Sequence, residues 1–246
     1  MRKQIKSDMI RLKSTRFWLI HLLAPLCMVL VFLGYYSFAG WSQENQIIGY
    51  FTVIGIALPV MIALLCIIVT DQELEAGSYQ QMLTASNRWT AFFSKLILLS
   101  LSGAASVLMT CFLFGLGNYY LLGHNIVNMK FYLVACGSFL SEVVVLYTIH
   151  LFLSFVFHNG VTIMLGLVEG LLSALLRTGL GDGKWQCFPC EWGTRFMHNY
   201  FLYFVHGKEM EPKCSQAVVI CILMSFTSLI LFGLWCKHWE GTHSEE

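Results

Sequence analysis

Long stretches without charged residues alternate with short charged segments along this chain of 246 residues. A run of about 20 apolar residues is long enough to cross a bilayer as a helix. The stretches free of Asp, Glu, Lys and Arg are Phe17–Gln43, Asn45–Thr70, Leu96–Met129 and Cys214–Cys236. Phe131–Leu176 contains only Glu142 and Glu169 and is long enough for two spans. The pattern therefore predicts six transmembrane helices, near 17–38, 50–70, 96–121, 131–157, 161–177 and 214–236.

A turn must separate the fourth and fifth spans. His158-Asn159-Gly160 supplies the signal, because glycine takes positive φ without strain. An even number of spans puts both ends of the chain on one side of the membrane. Basic residues cluster in the first 16 residues, where Asp8 is the only acid. Because Lys and Arg favour the cytoplasmic side, we expect both termini to be cytoplasmic.

The composition agrees with a membrane protein and argues against other classes. Apolar residues make up 57% of the chain, whereas charged residues make up only 12%, about half the share found in a soluble domain. The formal net charge of +1 gives no electrostatic footprint for nucleic acid. We therefore expect one all-α transmembrane domain that covers residues 1–246.

The first 16 residues predict an amphipathic helix at the membrane surface. Met1, Ile5, Met9 and Leu12 recur at helical spacing among basic residues, a pattern that suits an anionic leaflet. A solvated basic tail that only sets the topology is the alternative. The apolar run before Ser37 is too long for the core of a cleavable signal peptide, so we expect the first span to remain as an anchor.

The segment 71–95 is the longest loop predicted on the cytoplasmic side. It has an acidic start, a glycine, a short amphipathic stretch and two basic residues: Glu73, Glu75, Gly77, Tyr79–Leu83, Arg88 and Lys95. This order suits a helix that lies across the membrane face and couples the membrane domain to a partner. A solvated connector is the alternative.

The segment 178–213 is long for an outer loop and rich in aromatic residues, including Trp185 and Trp192. Because Trp and Tyr favour the headgroup layer, part of it is expected to lie at the outer interface as a short helix. Its Cys187-Phe-Pro-Cys190 motif allows a redox pair, a structural disulfide or half of a metal site. The sequence has no second CxxC, so we expect no metal.

Two carboxyl groups fall inside predicted spans. Glu169 lies near the middle of the fifth span, where a charged carboxyl costs roughly 2.5–3.5 kcal/mol and must face the bundle interior or a cavity. It is either a neutral contact between helices or a group that faces a transported molecule. Glu142 differs from it in depth by roughly 13 Å, so we expect no acid–base pair between them. His150 is expected to bond to a neighbouring helix.

Motifs for enzymatic chemistry are missing from the sequence. It contains no H-E-x-x-H motif, which argues against an intramembrane metalloprotease built on these Glu and His residues. The glycine-rich stretch Gly179–Lys184 lacks the spacing of a phosphate-binding loop. If the protein performs active transport, another chain must therefore supply the ATPase.

Three regions of the chain resemble the permease subunits of lantibiotic-protection ABC transporters, in the MutG-like group of type-2 exporter permeases. They are the basic N-terminal helix before the first span, the segment from Glu73 through Leu83 to Lys95, and the exit of the fifth span. The exit is the most specific, with Leu171–Trp185 followed by Pro189, Trp192 and Arg195. Cys187 and Cys190 depart from the larger apolar or aromatic residues expected in this group.

The resemblance implies a subunit in a bacterial cell membrane that expels lanthionine-containing peptides and so protects the cell. Its partners would be cytoplasmic ATPase subunits, which bind ATP and Mg²⁺, and a second six-span permease; this chain would hold no cofactor. Residues expected to couple to the ATPase are Glu73, Glu75, Gly77, Leu83 and Arg88. Residues expected to contact the substrate or gate its path are Glu142, Glu169, Trp185, Trp192 and Arg195. The alternatives are export of another amphipathic cargo, such as a lipid or drug, and an intramembrane Glu/His enzyme.

Overall fold

The computed structural model describes residues 1–77, 79–84, 87–157, 159–211 and 213–241, apart from the side chains of Lys3 and Gln81. This part of the chain is all-helical and contains no strand. Its helices are α1 Arg2–Leu12, α2 Phe17–Phe38, α3 Gln43–Glu75, α4 Gln80–Leu83, α5 Arg88–Tyr120, α6 Met129–Val156, α7 Asn159–Leu176, α8 Trp192–His206 and α9 Lys213–His238.

The six predicted spans are confirmed. Helices α2, α3, α5, α6, α7 and α9 are each long and apolar enough to cross a membrane. The predicted break between the fourth and fifth spans is confirmed as well, since α6 ends at Val156 and α7 begins at Asn159. His158, which belongs to the predicted turn, lies outside the described residues.

Two spans extend well beyond their predicted bounds. Helices α3 and α5 have 33 residues each, which makes them roughly 50 Å long against a hydrocarbon core of about 30 Å. The segment 71–95 is therefore mostly helical, with the ends of α3 and α5 on either side of the short helix α4. Glu, Gln, Lys and Arg are good helix formers, so a span does not end where its apolar run ends.

Helix α6 lies at the centre of the bundle and carries large buried aromatic residues. Phe131, Phe139, Tyr147 and Phe155 are all fully or almost fully buried. Helix α6 packs against α3, α5, α8 and α9. Helices α3, α5 and α9 thus lie around α6, whose buried face consists largely of aromatic side chains.

Helices α3 and α7 approach closely through glycine. A Cβ atom on Gly170 would lie 2.6 Å from the backbone oxygen of Ile56, and one on Gly166 would lie 2.9 Å from the Cβ of Ala63. Small residues allow such close packing in membranes, where van der Waals contact replaces the hydrophobic effect as the driving force. The α3–α7 pair depends on these two glycines.

The segment 178–213 does not form a surface loop. It folds through the 3₁₀ turns Gly179–Gly181, Trp185–Cys187 and Pro189–Glu191 into α8. Trp185 and Trp192 are 0% exposed and fill space between helices. The short helix expected in this segment is α8, on which Tyr203 and Phe204 are exposed.

Helix α8 begins deep inside the bundle. The backbone N–H of Gly193, at its start, donates to the carboxyl of Glu142, roughly 20 Å along α6 from Met129. Near its other end His206 meets Glu44 at the start of α3. The segment after α7 therefore lies at mid-depth in the bundle, and α8 returns the chain to the end at which α3 begins; we call it the re-entrant segment.

We expect Gly170→Ala to lower the free energy of unfolding by roughly 1–3 kcal/mol, because the new methyl group would overlap the backbone of α3. The measurement is the thermal midpoint of the purified protein in detergent, which shifts by about 2–4 °C per kcal/mol in a chain of this size. Gly137→Ala on α6 is the matched control, since its Cβ would meet nothing within 4 Å. Equal midpoints for the two variants would contradict the close α3–α7 contact.

Candidate functional site

Four charged side chains form a buried group where α1, α3 and α5 meet, which we call the ionic cluster: Asp8, Arg11, Glu73 and Lys95. Lys95 Nζ donates to Glu73 Oε1 at 2.7 Å and to Asp8 Oδ1 at 3.2 Å. Arg11 bridges the same two acids, at 2.8 Å from Asp8 Oδ1 and 3.0 Å from Glu73 Oε1. Two acids and two bases thus alternate in a closed ring with no formal net charge.

Burial makes each charge in the ionic cluster depend on the others. The side chains of Asp8, Glu73 and Lys95 are only 2–3% exposed. The Ser94 hydroxyl adds a hydrogen bond to Asp8 Oδ2 at 2.5 Å. Removing one partner of a buried ion pair leaves an uncompensated charge, which typically costs 3–5 kcal/mol. The ionic cluster therefore fixes α1 to the ends of α3 and α5.

The other residues of the predicted coupling segment divide into two groups. Glu75 and Gly77 are exposed, and Gly77 has φ +130, a conformation that favours glycine. Leu83 is partly buried, and Arg88 Nη1 donates to the backbone oxygen of Trp239 at 2.7 Å. Glu73, placed in this segment by the sequence, lies inside the bundle instead. The surface of this segment that is open to a partner thus includes Glu75, Gly77 and the exposed Gln80.

A second polar group lies around α6 and α7. Glu142 is fully buried, and its Oε2 accepts the Gly193 N–H at 2.8 Å. His150 Nε2 lies 2.8 Å from Glu169 Oε2, which confirms the expected bond between His150 and a neighbouring helix. The His150 side chain is 0% exposed and that of Glu169 12%. Glu142 and Glu169 share no hydrogen bond in the described structure.

Glu191 is the third buried carboxyl of this group. The sequence did not predict it as a site residue, because it falls in the predicted outer loop. It is 0% exposed, and its Oε2 accepts a hydrogen bond from Ser173 Oγ at 3.0 Å. Burial raises the pKa of Glu191 to about 7, although hydrogen bonds and the charges of Arg195 and Arg177 act in the opposite direction. No signal in the sequence marks it, because its burial follows from the re-entrant path of the segment.

Arg195 binds the backbone at the C-terminal end of α7. Its guanidinium donates to the backbone oxygen of Leu176 and to that of Thr178 at 2.9 Å, and it pairs with Asp182 at 3.0 Å. These carbonyls lie at or just beyond the end of α7, where no intrahelical donor is left for them. Arg195 therefore stabilises the re-entrant segment. Trp192 has a similar role, since its Nε1 donates to Gln186 O at 2.8 Å.

The described residues contain no group of three or more His, Cys, Asp and Glu side chains that could hold a metal ion. The nine cysteines, all of them described, are free thiols; Cys187 is exposed and Cys190 buried. The C-x-x-C motif therefore does not form a disulfide in this structure.

Comparison of the chain with protein families, with curated proteins and with solved structures finds no match. The resemblance to lantibiotic-protection permeases therefore stays a prediction.

We expect Lys95→Met to lower the free energy of unfolding by roughly 3–5 kcal/mol, because Asp8 and Glu73 would keep their charges with Arg11 alone between them. Thermal midpoints in detergent measure the loss. The exposed Lys130 supplies the control Lys130→Met. Adding Glu73→Met to Lys95→Met should recover part of the loss. Equal midpoints for the two single variants would mean that the ionic cluster does not hold α1.

The raised pKa of Glu191 predicts a pH dependence of stability. A carboxyl with a pKa of about 7 in the folded chain and 4.5 in the unfolded chain favours the fold while it is protonated. The contribution of Glu191 to stability is then highest below pH 4.5 and falls by up to about 3 kcal/mol as the pH rises to 7. Glu191→Gln should remove this decline, whereas the exposed control Glu209→Gln should retain it. Thermal midpoints between pH 4.5 and 7.5 test this; a decline of equal size in Glu191→Gln would assign it to other groups.

Proposed function

We propose that this chain is the permease subunit of an ATP-driven exporter that removes lantibiotic-type antimicrobial peptides from a bacterial cell membrane. The ATP and Mg²⁺ sites belong to cytoplasmic partner subunits, and a second six-span permease completes the transmembrane path. Both termini are cytoplasmic in this proposal, and α1 lies at the inner surface of the membrane. The transported molecule is an amphipathic cationic peptide.

The ionic cluster is the observation that carries the proposal. A permease that is driven by a partner ATPase must transmit the partner's conformational change from its cytoplasmic face to its transmembrane helices. The exposed residues Glu75 and Gly77 directly follow Glu73, whose carboxylate is bonded to Lys95 on α5 and Arg11 on α1. A displacement of the exposed segment would thus move α1, α3 and α5 together.

The re-entrant segment supports the outward half of the proposal. It places Glu191 inside the bundle, where Glu142 of α6 and the His150–Glu169 pair of α6 and α7 also lie. Carboxyl groups at such depth mark substrate or ion pathways in membrane proteins. In the proposal Glu142 and Glu169 attract the cationic groups of the peptide, while Trp185, Trp192 and Arg195 hold the segment that closes the path.

We expect Glu75→Lys to reduce the amount of ATPase that co-purifies with the tagged chain by at least about tenfold, since a reversed charge at an interface costs several kcal/mol. The measurement is quantitative mass spectrometry of the complex purified from its native host in mild detergent. Glu209→Lys is the matched control, because Glu209 is exposed in the segment between α8 and α9.

The outcomes separate the hypotheses. A stoichiometric ATPase and a second six-span protein in the wild-type preparation would support the transporter, and cells with the complex should survive a lantibiotic that kills cells without it. A complex that forms but gives no protection would favour a lipid or drug as cargo. A chain that purifies alone in several detergents would overturn the permease.

The alternative of an intramembrane enzyme is favoured by one observation, the 2.8 Å contact of His150 with Glu169. A base held by a carboxylate is a common part of hydrolytic sites. A Ser hydroxyl nearby, that of Ser154, donates to the backbone oxygen of His150 and not to its ring. The described structure therefore shows no nucleophile activated by His150, and the transporter remains the preferred proposal.

A further inference from the structure

Helices α2, α3 and α5 leave a groove of about 320 Å³ between them. Its walls are almost entirely carbon, and small side chains widen it at Ala24, Ala57 and Gly103. Tyr147 of α6 contributes to its floor. Along α3 the lining runs from Val53 to Leu65, a length of roughly 18 Å. Since these are membrane-spanning helices, the surroundings of the groove are lipid tails.

One end of the groove carries a polar group that the bundle does not satisfy. Pro25 has no N–H, so the backbone oxygen of His21 is free to accept a hydrogen bond from Ser106 Oγ at 3.0 Å. His21 Nδ1 donates to the backbone oxygen of Phe17 at 2.9 Å. In the neutral ring Nε2 is then an acceptor, and it is buried without a partner among the described residues. His21 is 9% exposed and lines the groove.

A cation lies one helical turn beyond that end. Arg16, Ile20, Ala24 and Met28 follow one another at intervals of four residues, so they share a face of the helix. The last three line the groove, and the backbone N–H of Ile20 bonds to Arg16 O at 3.0 Å. Arg16 is exposed, and no acid within the described part of the chain forms an ion pair with it.

We propose that the groove binds an anionic phospholipid, with one acyl chain along Ile20, Ala24 and Met28 and its phosphate at Arg16. Both polar features lie at the same end of the groove, as the head and tail of a lipid require.

The wild-type chain, purified in detergent, is titrated with phosphatidylglycerol or with phosphatidylcholine of the same acyl chains, and bound lipid is counted by native mass spectrometry. We expect one tightly bound phosphatidylglycerol and an affinity about fivefold higher than for phosphatidylcholine, the ratio expected from one cation near the headgroup. Arg16→Gln should bring the two affinities together. Lys208→Gln, which removes an exposed cation on another segment, should leave the ratio unchanged.

A second variant tests the groove itself. Ala24→Phe fills its middle and should weaken binding of either lipid at least about tenfold. Ala105→Phe adds the same group to an exposed position of α5 that does not line the groove, and should bind as the wild type does. Thermal midpoints of both variants show that they are folded.

Two results would overturn the proposal. One is undiminished lipid binding by folded Ala24→Phe. The other is a ratio of phosphatidylglycerol affinity to phosphatidylcholine affinity that is the same in the wild type and in Arg16→Gln. If Ala24→Phe kept its lipid but lost a co-purifying membrane subunit, the groove would belong to a protein partner. Because bound lipid is counted on this chain itself, the result is independent of any ATPase and of the proposed transport function.

Discussion

Buried charge is the constraint on which the rest of this structure depends. Apolar residues make up 57% of the chain, and a charged side chain that is enclosed between helices has no water to solvate it. Lys95 and Glu73 are nevertheless almost fully buried, 2.7 Å apart. The pair is stable only while Asp8 and Arg11 complete the ring, so a helix outside the six spans becomes part of the fold. The position of α1 is a consequence of this pairing.

The same constraint explains the re-entrant segment. Irregular backbone at membrane depth is tolerated only where protein groups satisfy its polar atoms. The carbonyls at the end of α7 are bonded by Arg195, and the first N–H groups of α8 include Gly193, which is bonded by Glu142. Gly193 is needed for this approach, since a Cβ there would lie 2.9 Å from Glu142 Oε1. Glu142 and Arg195 thus allow the chain to turn inside the bundle.

The sequence predicted the number and order of the spans because charge-free runs are a local property. It predicted that His150 bonds to another helix for the same kind of reason, since a polar group inside a membrane must find a partner. The partners themselves were not predictable. Asp8 and Lys95 are far apart in the sequence, as are Glu142 and Gly193, and no periodicity relates them. The burial of Glu191, Trp185 and Trp192 depends on the path of the whole segment, which composition assigned to the membrane surface.

Glu73 and Glu75 show how the fold divides similar residues between two tasks. Both are acids in the last turn of α3, two positions apart, and a separation of two residues turns a helix by roughly 200°. One of them must therefore face the bundle when the other faces away. Lys95 and Arg11 select Glu73 for the inner position, which leaves Glu75 exposed beside Gly77. A partner that contacts Glu75 is then separated from the ionic cluster by half a helical turn, with no mobile connector between them.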